Sequence, residues 1–502
     1  MTQIDTVVVA VYIVGTTLFG CSFMFRKGLG NADGFMTGGG RLPTWTVALS
    51  IFATHVSSIA FLGLPAKAFL SNWNPYVMSL TVPLAAIVAA MWFVPFYRSH
   101  GGVSAYSFLE ARYGAWARLY ASACFLSMQT MRSGFILFLM AILTNALFGW
   151  SVPVVIAATG LATAVYSMAG GLSAVVWTDA VQSIILIVGT VVCIAVLGFS
   201  MPDASEAFSA ASAAGKFSLG GFSPFDWSVE TFWVIFVYGM FVNLQNFGID
   251  QSFTQRYIAA KTESAAKKSL LSSALMYLVN TAFFVFIGTL LWMYAQTHPG
   301  VVPAGVLEKP DAVFPWFIVN KLPVGVSGLM VAAIIAAAMS TVSTTLNSGA
   351  TVLLEDYRRR FFPNAGGGRG DILFLRAATA VLGIVSVLVG ISVMNVHSAL
   401  SAFWELQSVL SGGMLGLFLL ALLSRKSKGV HAAVATVVAL LVVVWVMFGQ
   451  ELTGLSLRLH VDMAIVLGTV SLVAVGAAAS ASFRRNGSVC SAVSQRKGEE
   501  WK

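Results

Sequence analysis

Five hydroxyls fall within six residues at Ser340-Thr341-Val342-Ser343-Thr344-Thr345, inside a stretch from Leu329 to Leu354 that is otherwise lipid-compatible. Polar groups at membrane depth are costly unless something binds them. A hard, unhydrated cation suits them, because it takes several neutral or anionic oxygens in preference to nitrogen or sulfur. Small hydroxyls also pack helices closely and bond their own backbone; the density of this cluster, set beside the acid Asp179, favours the cation. A second pattern is Thr54-His55-Val56-Ser57-Ser58, within an apolar run from Pro43 to Leu70. Polar, poorly helix-forming residues there suit a helix that unwinds in mid-membrane and turns freed carbonyls to a ligand. Unwinding near Ala53 to Ser57 offers the carbonyls of Ala53 and Val56; a continuous helix with a polar packing face is the alternative. His55 has three readings: a hydrogen-bonded core residue, a substrate donor or a proton acceptor.

Two charges lie where loops do not reach. Asp179 follows Trp177-Thr178 ahead of the apolar run Ile184 to Leu197. It reads either as a carboxylate satisfied by a cation or a nearby hydroxyl network or as an interfacial cap at a helix N-terminus. Arg132 lies more than ten residues into an apolar span, too deep to snorkel. A fixed guanidinium there grips a substrate carboxylate in bidentate fashion or pairs with a protein acid such as Asp250 or Glu405.

These residues belong to a chain of 502 residues, 58% apolar and only 10% charged, where soluble domains carry about a quarter charged residues. The chain is an integral membrane protein whose surroundings are the lipid bilayer. Its length holds a dozen or so spans of about 20 residues, with no room for a large soluble domain. Cys21, Cys124, Cys193 and Cys490 form no Cys-x-x-Cys pair and read as small core residues. The N-terminus lacks the basic region of a secretory signal, so the first apolar stretch is expected to be retained. No P-loop, His-Glu-x-x-His, catalytic triad or Gly-x-Ser-x-Gly elbow appears in the spans, which leaves an enzyme without support.

Apolar windows at roughly 5–24, 45–70, 75–97, 119–148, 151–169, 174–199, 231–252, 269–296, 323–354, 372–395, 399–424, 430–449 and 461–482 predict about thirteen transmembrane helices. With the N-terminus outside and the C-terminus cytoplasmic, most of the 29 Lys and Arg, Arg256 among them, fall on inner connections. The outside keeps Lys67, Lys216, Lys309, Lys321 and Arg458, and Arg132 stays in the membrane. The net charge of +9 is therefore a topology signal, and no nucleic-acid partner is expected.

The segment Tyr166-Ser167-Met168-Ala169-Gly170-Gly171-Leu172-Ser173-Ala174, continued by Val175-Val176-Trp177-Thr178-Asp179-Ala180-Val181-Gln182, resembles the signature of the sodium:solute symporter family. Gly38-Gly39-Gly40-Arg41, Ser50-Ile51-Phe52-Ala53-Thr54, Pro65-Ala66-Lys67-Ala68 and Ala336-Ala337-Ala338-Met339-Ser340-Thr341-Val342-Ser343 extend the likeness to about residue 425. The resemblance implies an all-α, leucine-transporter-like core of two inverted five-helix repeats, with one helix before it and two after. Residues 1–42 would be the first helix and a cytoplasmic loop, 43–200 the first repeat, 201–229 an extracytoplasmic loop and 230–424 the second repeat. Two peripheral helices would fill 425–483, and 484–502 would be a cytoplasmic tail. Helices 45–70 and 231–252 would be discontinuous, the second softened by Gly239, Asn243, Gln245, Asn246 and Gly248.

Carried over by position, the family's principal sodium site falls on the carbonyls of Ala53, Val56 and Ala337 and the hydroxyls of Ser340 and Thr341. A further sodium site, found in the sialic acid branch, matches Asp179, Ser340, Ser343 and Thr344; at about 100° per residue the last three share one helix face. The pocket of bacterial sialic acid transporters corresponds to His55, Ser57, Ala60, Ser79 and Arg132. Arg132 and Ser57 fit that pattern, while His55, Ala60 and Ser79 stand where Thr, Thr and Gln are expected. The implied activity is secondary active symport across the bacterial cytoplasmic (inner) membrane, with two sodium ions driving uptake of sialic acid or a related carboxylated sugar. Another small carboxylate or polar solute, proton coupling through Asp179 or His55, and a transporter-like sensor are the alternatives.

Overall fold

The computed structural model describes residues 2–26, 30–365, 367–395, 399–424, 426–453 and 458–499. Among them the chain is helical, with one isolated bridge between Leu42 and Ala260. The main helices are α1 (Gln3–Ser22), α2 (Thr44–His55), α3 (Ser58–Leu70), α4 (Val77–Val88), α5 (Ala115–Phe148), α6 (Val152–Phe199) and α7 (Phe232–Ile249). They continue as α8 (Gln251–Ala259), α9 (Glu263–Thr297), α10 (Val326–Val352), α11 (Arg369–Ser392), α12 (Ala399–Leu423), α13 (Gly429–Thr453) and α14 (Met463–Glu499).

Ten helices among the described residues are long and apolar enough to cross a membrane, and the bent pair α2–α3 raises the number to eleven. Each of the thirteen expected windows falls mainly on helix among the described residues, but the count of separate spans is ten or eleven and two of the windows share α6. That 48-residue helix is kinked at Gly171, whose φ is 57°. The kink matches the gap between windows 151–169 and 174–199. A side chain there would be doubly excluded, since left-handed φ disfavours L residues and a Cβ would lie 2.7 Å from the Phe35 carbonyl oxygen.

Residues Met1–Ala105 and Leu126–Phe403 form one compact unit, Tyr106–Phe125 and Trp404–Lys502 a second. In the second, α13 packs along α14, and the Tyr113 hydroxyl bonds Ser427 Oγ at 2.7 Å. The first unit holds every residue singled out above for binding. Its centre is α10, buried on nearly all sides from Met330 to Val352. The hydroxyls of Ser340 to Thr345 therefore face protein, which explains how a polar cluster is tolerated in an apolar helix.

Two interruptions bracket that helix. Between α2 and α3, Val56 and Ser57 are extended, with ψ of 121° and 159°. Between α7 and α8 the extended residue is Asp250, at φ −75° and ψ 124°. The second break thus lies beyond the residues expected to soften it. Gly239 and Gly248 remain helical, and a Cβ at either would stand 2.9 Å from Thr81 Oγ1 or the Phe93 ring. These glycines allow close packing and Asp250 makes the turn. Asp250 also caps α8, Oδ1 accepting the Ser252 N–H at 2.7 Å. The helix it opens carries Gln251, Ser252, Thr254, Gln255 and Arg256, all buried.

Candidate cation and substrate sites

The last helical hydrogen bond of α2 runs from the Val56 N–H to the Phe52 carbonyl at 2.9 Å. The carbonyls from Ala53 onward are released by the helix end. The chain then restarts as α3, with Ser57 Oγ accepting the Ala60 N–H at 3.3 Å and the two halves bent by 55°. Against the released stretch lies a cavity of about 10 Å³, lined by Ala53 and Val56, by Ala337 and Ser340 of α10, and by Gln182 and Ser183 of α6. That is room for about one water-sized occupant. The wall holds four of the five residues expected for the principal sodium site. The fifth, Thr341, is buried, and its Oγ1 donates to the Ala337 carbonyl at 3.1 Å. Backbone and hydroxyl oxygens of this kind fit a small hard cation. Gln182 was missed as a site residue. Both its amide atoms are buried without a hydrogen-bond partner among the described residues, and its place three residues after Asp179, on the same helix face, is the signal that could have found it.

One turn away Asp179 is wholly buried, so it is no interfacial cap. Oδ1 accepts the Ser340 hydroxyl at 2.7 Å. Oδ2 accepts the Ser50 hydroxyl at 2.5 Å and Arg256 Nη2 at 2.9 Å. Arg256, expected on an inner connection, is instead 1% exposed and ion-paired within the fold. It donates from Nε to Ser50 Oγ at 2.7 Å, from Nη1 to the Ser252 carbonyl at 2.6 Å and from Nη2 to Thr344 Oγ1 at 2.6 Å. Charge patterning misplaced it because α8 is a short polar helix that reads like a loop. Asp179, Ser340 and Thr344 of the expected second sodium set thus converge, with Asp179 and Thr344 sharing their oxygens with a guanidinium. Ser343, on the same face, bonds the Ser340 carbonyl at 3.0 Å.

Three of the five expected substrate residues, His55, Ser79 and Arg132, lie about Tyr277 of α9. His55 lies tilted against its ring, with centroids 4.2 Å apart, and meets Phe247 and Phe253 at 5.2 and 5.7 Å. Ser79 of α4 and Arg132 of α5 lie near the Tyr277 hydroxyl. His55 Nδ1 is buried without a hydrogen-bond partner among the described residues. Ser57 spends its lone pair on the cap and keeps its hydrogen for another acceptor. Ala60, in the first turn of α3, brings no polar group. Arg132 is half-buried, and among the described residues it makes no hydrogen bond and no ion pair. Asp250 is near enough for its charge to be felt, yet its Oδ2 accepts Gln129 Nε2 at 2.8 Å instead. The side chain of Glu405, the other acid considered for Arg132, lies outside the described residues. Tyr277, Phe247 and Phe253 were missed as wall residues. Nothing in their local sequence separates them from ordinary core.

Comparison with known proteins points in one direction. The sequence model of the Sodium:solute symporter family matches residues 35–439. The Sodium/sialic acid symporter SiaT of Proteus mirabilis is 30% identical over 92% of this chain and 93% of its own. A solved Na+-coupled sialic acid symporter, in a substrate-bound outward-open state that reveals a novel sodium site, is 29% identical. It superposes with a TM-score of 0.88 over 95% of this chain and 98% of its own. Mhp1, a nucleobase-cation-symport-1 family transporter, shares the fold at 14% identity, with a TM-score of 0.59 over 92% of this chain and 96% of its own. The architecture is leucine-transporter-like, as the sequence implied.

Proposed function

Since the chain belongs to the sodium:solute symporter family, we propose that it imports an organic acid, first among them a sialic acid, across the bacterial cytoplasmic membrane on two sodium ions. The observation that carries this reading is the guanidinium of Arg132, without a hydrogen-bond or ion-pair partner among the described residues, close to a helix break that frees oxygens for a cation. One sodium sits on the carbonyls of Ala53, Val56 and Ala337 with Ser340 and Thr341. The other takes Asp179, Ser340, Ser343 and Thr344. Ion binding holds the broken helix in its outward-facing form, and the occupied site then rocks inward. The N-terminus faces outside.

Two sodium ions with a monoanion move one net charge. At ~100 mV and a tenfold sodium gradient this yields about 5 kcal/mol, a few thousandfold accumulation. A single ion would make the cycle electroneutral and limit it to about tenfold.

The altered positions His55, Ala60 and Ser79 leave the carboxylate grip intact and change what lies around the rest of the substrate. A buried polar group left unpaired shifts selectivity strongly, so the exact acid is decided there. Calorimetric binding of N-acetylneuraminate, glucuronate and lactate to the purified protein, in sodium and in potassium, tests the reading. Binding of at least one acid in sodium alone is expected. Equal binding in potassium, or equal binding of a neutral sugar, would contradict it.

A further inference from the structure

One acid stands between two guanidiniums, that of Arg256, which is buried, and that of Arg132, which is half-buried. Asp250 sits at the break between α7 and α8, capping the helix that carries Arg256 six residues on. Across from it α5 presents Gln129, whose amide holds Asp250 Oδ2 at 2.8 Å, and Arg132 one turn later on the same face. The Asp250 charge acts on both Arg132 and Arg256. Neither guanidinium is within ion-pair distance of it: Arg256 is committed to Asp179 at 2.9 Å, and Arg132 is half-buried and unpaired among the described residues. The order through the protein is therefore Asp179, Arg256, Asp250, Arg132, with signs alternating and net charge zero.

A row of that kind responds to an added charge at either end. A cation placed on Asp179 alone leaves one uncompensated positive charge in a buried region, and a carboxylate placed on Arg132 alone leaves one negative charge. Either imbalance is costly. Both together restore neutrality. The cation also competes with Arg256 for oxygens of Asp179 and Thr344 that its Nη2 now bonds.

We propose that Asp250 is a positioning residue that couples the two sites: a cation at Asp179 turns Arg256 toward Asp250, and Asp250, its charge so compensated, leaves the positive charge of Arg132 to be met by the substrate carboxylate. This rests on the symport reading above. It adds that the dependence of acid binding on sodium is carried by a carboxylate that touches neither ligand.

The test is the ratio of acid dissociation constants at low and high sodium, using whichever of N-acetylneuraminate, glucuronate or lactate binds in sodium. The wild-type ratio should be about tenfold or more, within the usual range of coupling between sites. Asp250→Asn keeps the helix cap and the side-chain shape while removing the charge; Asp250→Ser keeps the cap and removes the charge should the first variant not fold. In either, the ratio should fall below about twofold, because binding at low sodium becomes tighter. Asp250→Glu should recover most of the wild-type ratio. A purely structural acid would alter thermal stability and leave the ratio unchanged. A wild-type ratio in Asp250→Asn, or loss of binding at both sodium concentrations, overturns the coupling role. A wild-type protein whose acid binding ignores sodium overturns the symport reading beneath it.

Discussion

Arg256 and Arg132 are both arginines within apolar surroundings, yet the protein treats them in opposite ways. Arg256 is 1% exposed and donates to Asp179, Ser50, Thr344 and the Ser252 carbonyl. Arg132 is half-buried and has no such partner among the described residues. A buried charge must be paired or matched by an outside ligand. The contrast separates an arginine that belongs to the resting fold from one that we propose is kept for a substrate. It also reassigns the reading of Asp179: the acid expected to wait for a cation already holds one on a tether.

The contrast can be broken by substitution. Arg256→Ala strips a buried carboxylate of its partner and should cost about 3–5 kcal/mol of stability, read as thermal unfolding in detergent. Arg132→Ala removes a guanidinium with no hydrogen bond or ion pair among the described residues and should cost less, about 1 kcal/mol. If the two variants changed places, the assignment of roles would be reversed. On binding the order inverts. Arg132→Ala should weaken the acid by about 2–5 kcal/mol, the usual loss when one partner of a desolvated charge pair is truncated, with calorimetry as the measurement. Unchanged affinity would mean that the guanidinium serves the fold.

Asp179→Ala should lower the sodium Hill coefficient of uptake from about two towards one, since the coefficient cannot exceed the number of sites. A coefficient that stayed at two would remove Asp179 from the ion path. The smallest effect concerns selectivity. Ala60→Thr and Ser79→Gln restore hydrogen-bonding groups expected of a sialic acid pocket, and each should tighten N-acetylneuraminate by about 0.5–1.5 kcal/mol. Weaker binding would show that this pocket is shaped for a different acid.

Much of this arrangement is legible in the sequence, for identifiable reasons. A hydroxyl cluster in an apolar run is costly anywhere but the interior, which locates α10 at the centre before any coordinates. The break at Val56–Ser57 announces itself through polar residues at mid-span. The second break is less readable, because glycines that permit close packing look the same as glycines that permit unwinding; only Asp250, a helix cap in form, marks the true position. Arg256 is illegible by charge counting, since a short buried polar helix and a loop have similar composition. The aromatic wall of Tyr277, Phe247 and Phe253 is illegible too, for these residues are chemically ordinary and gain meaning only when α7, α8 and α9 bring them around His55.

The most direct test of sodium-driven acid uptake is accumulation of labelled N-acetylneuraminate, glucuronate and lactate in proteoliposomes. An imposed sodium gradient is compared with an equal potassium gradient and with a pH jump in sodium-free medium. At least one acid should accumulate under the sodium gradient alone, faster with the interior negative. Accumulation driven by the pH jump without sodium, or equal accumulation in potassium, would contradict the account.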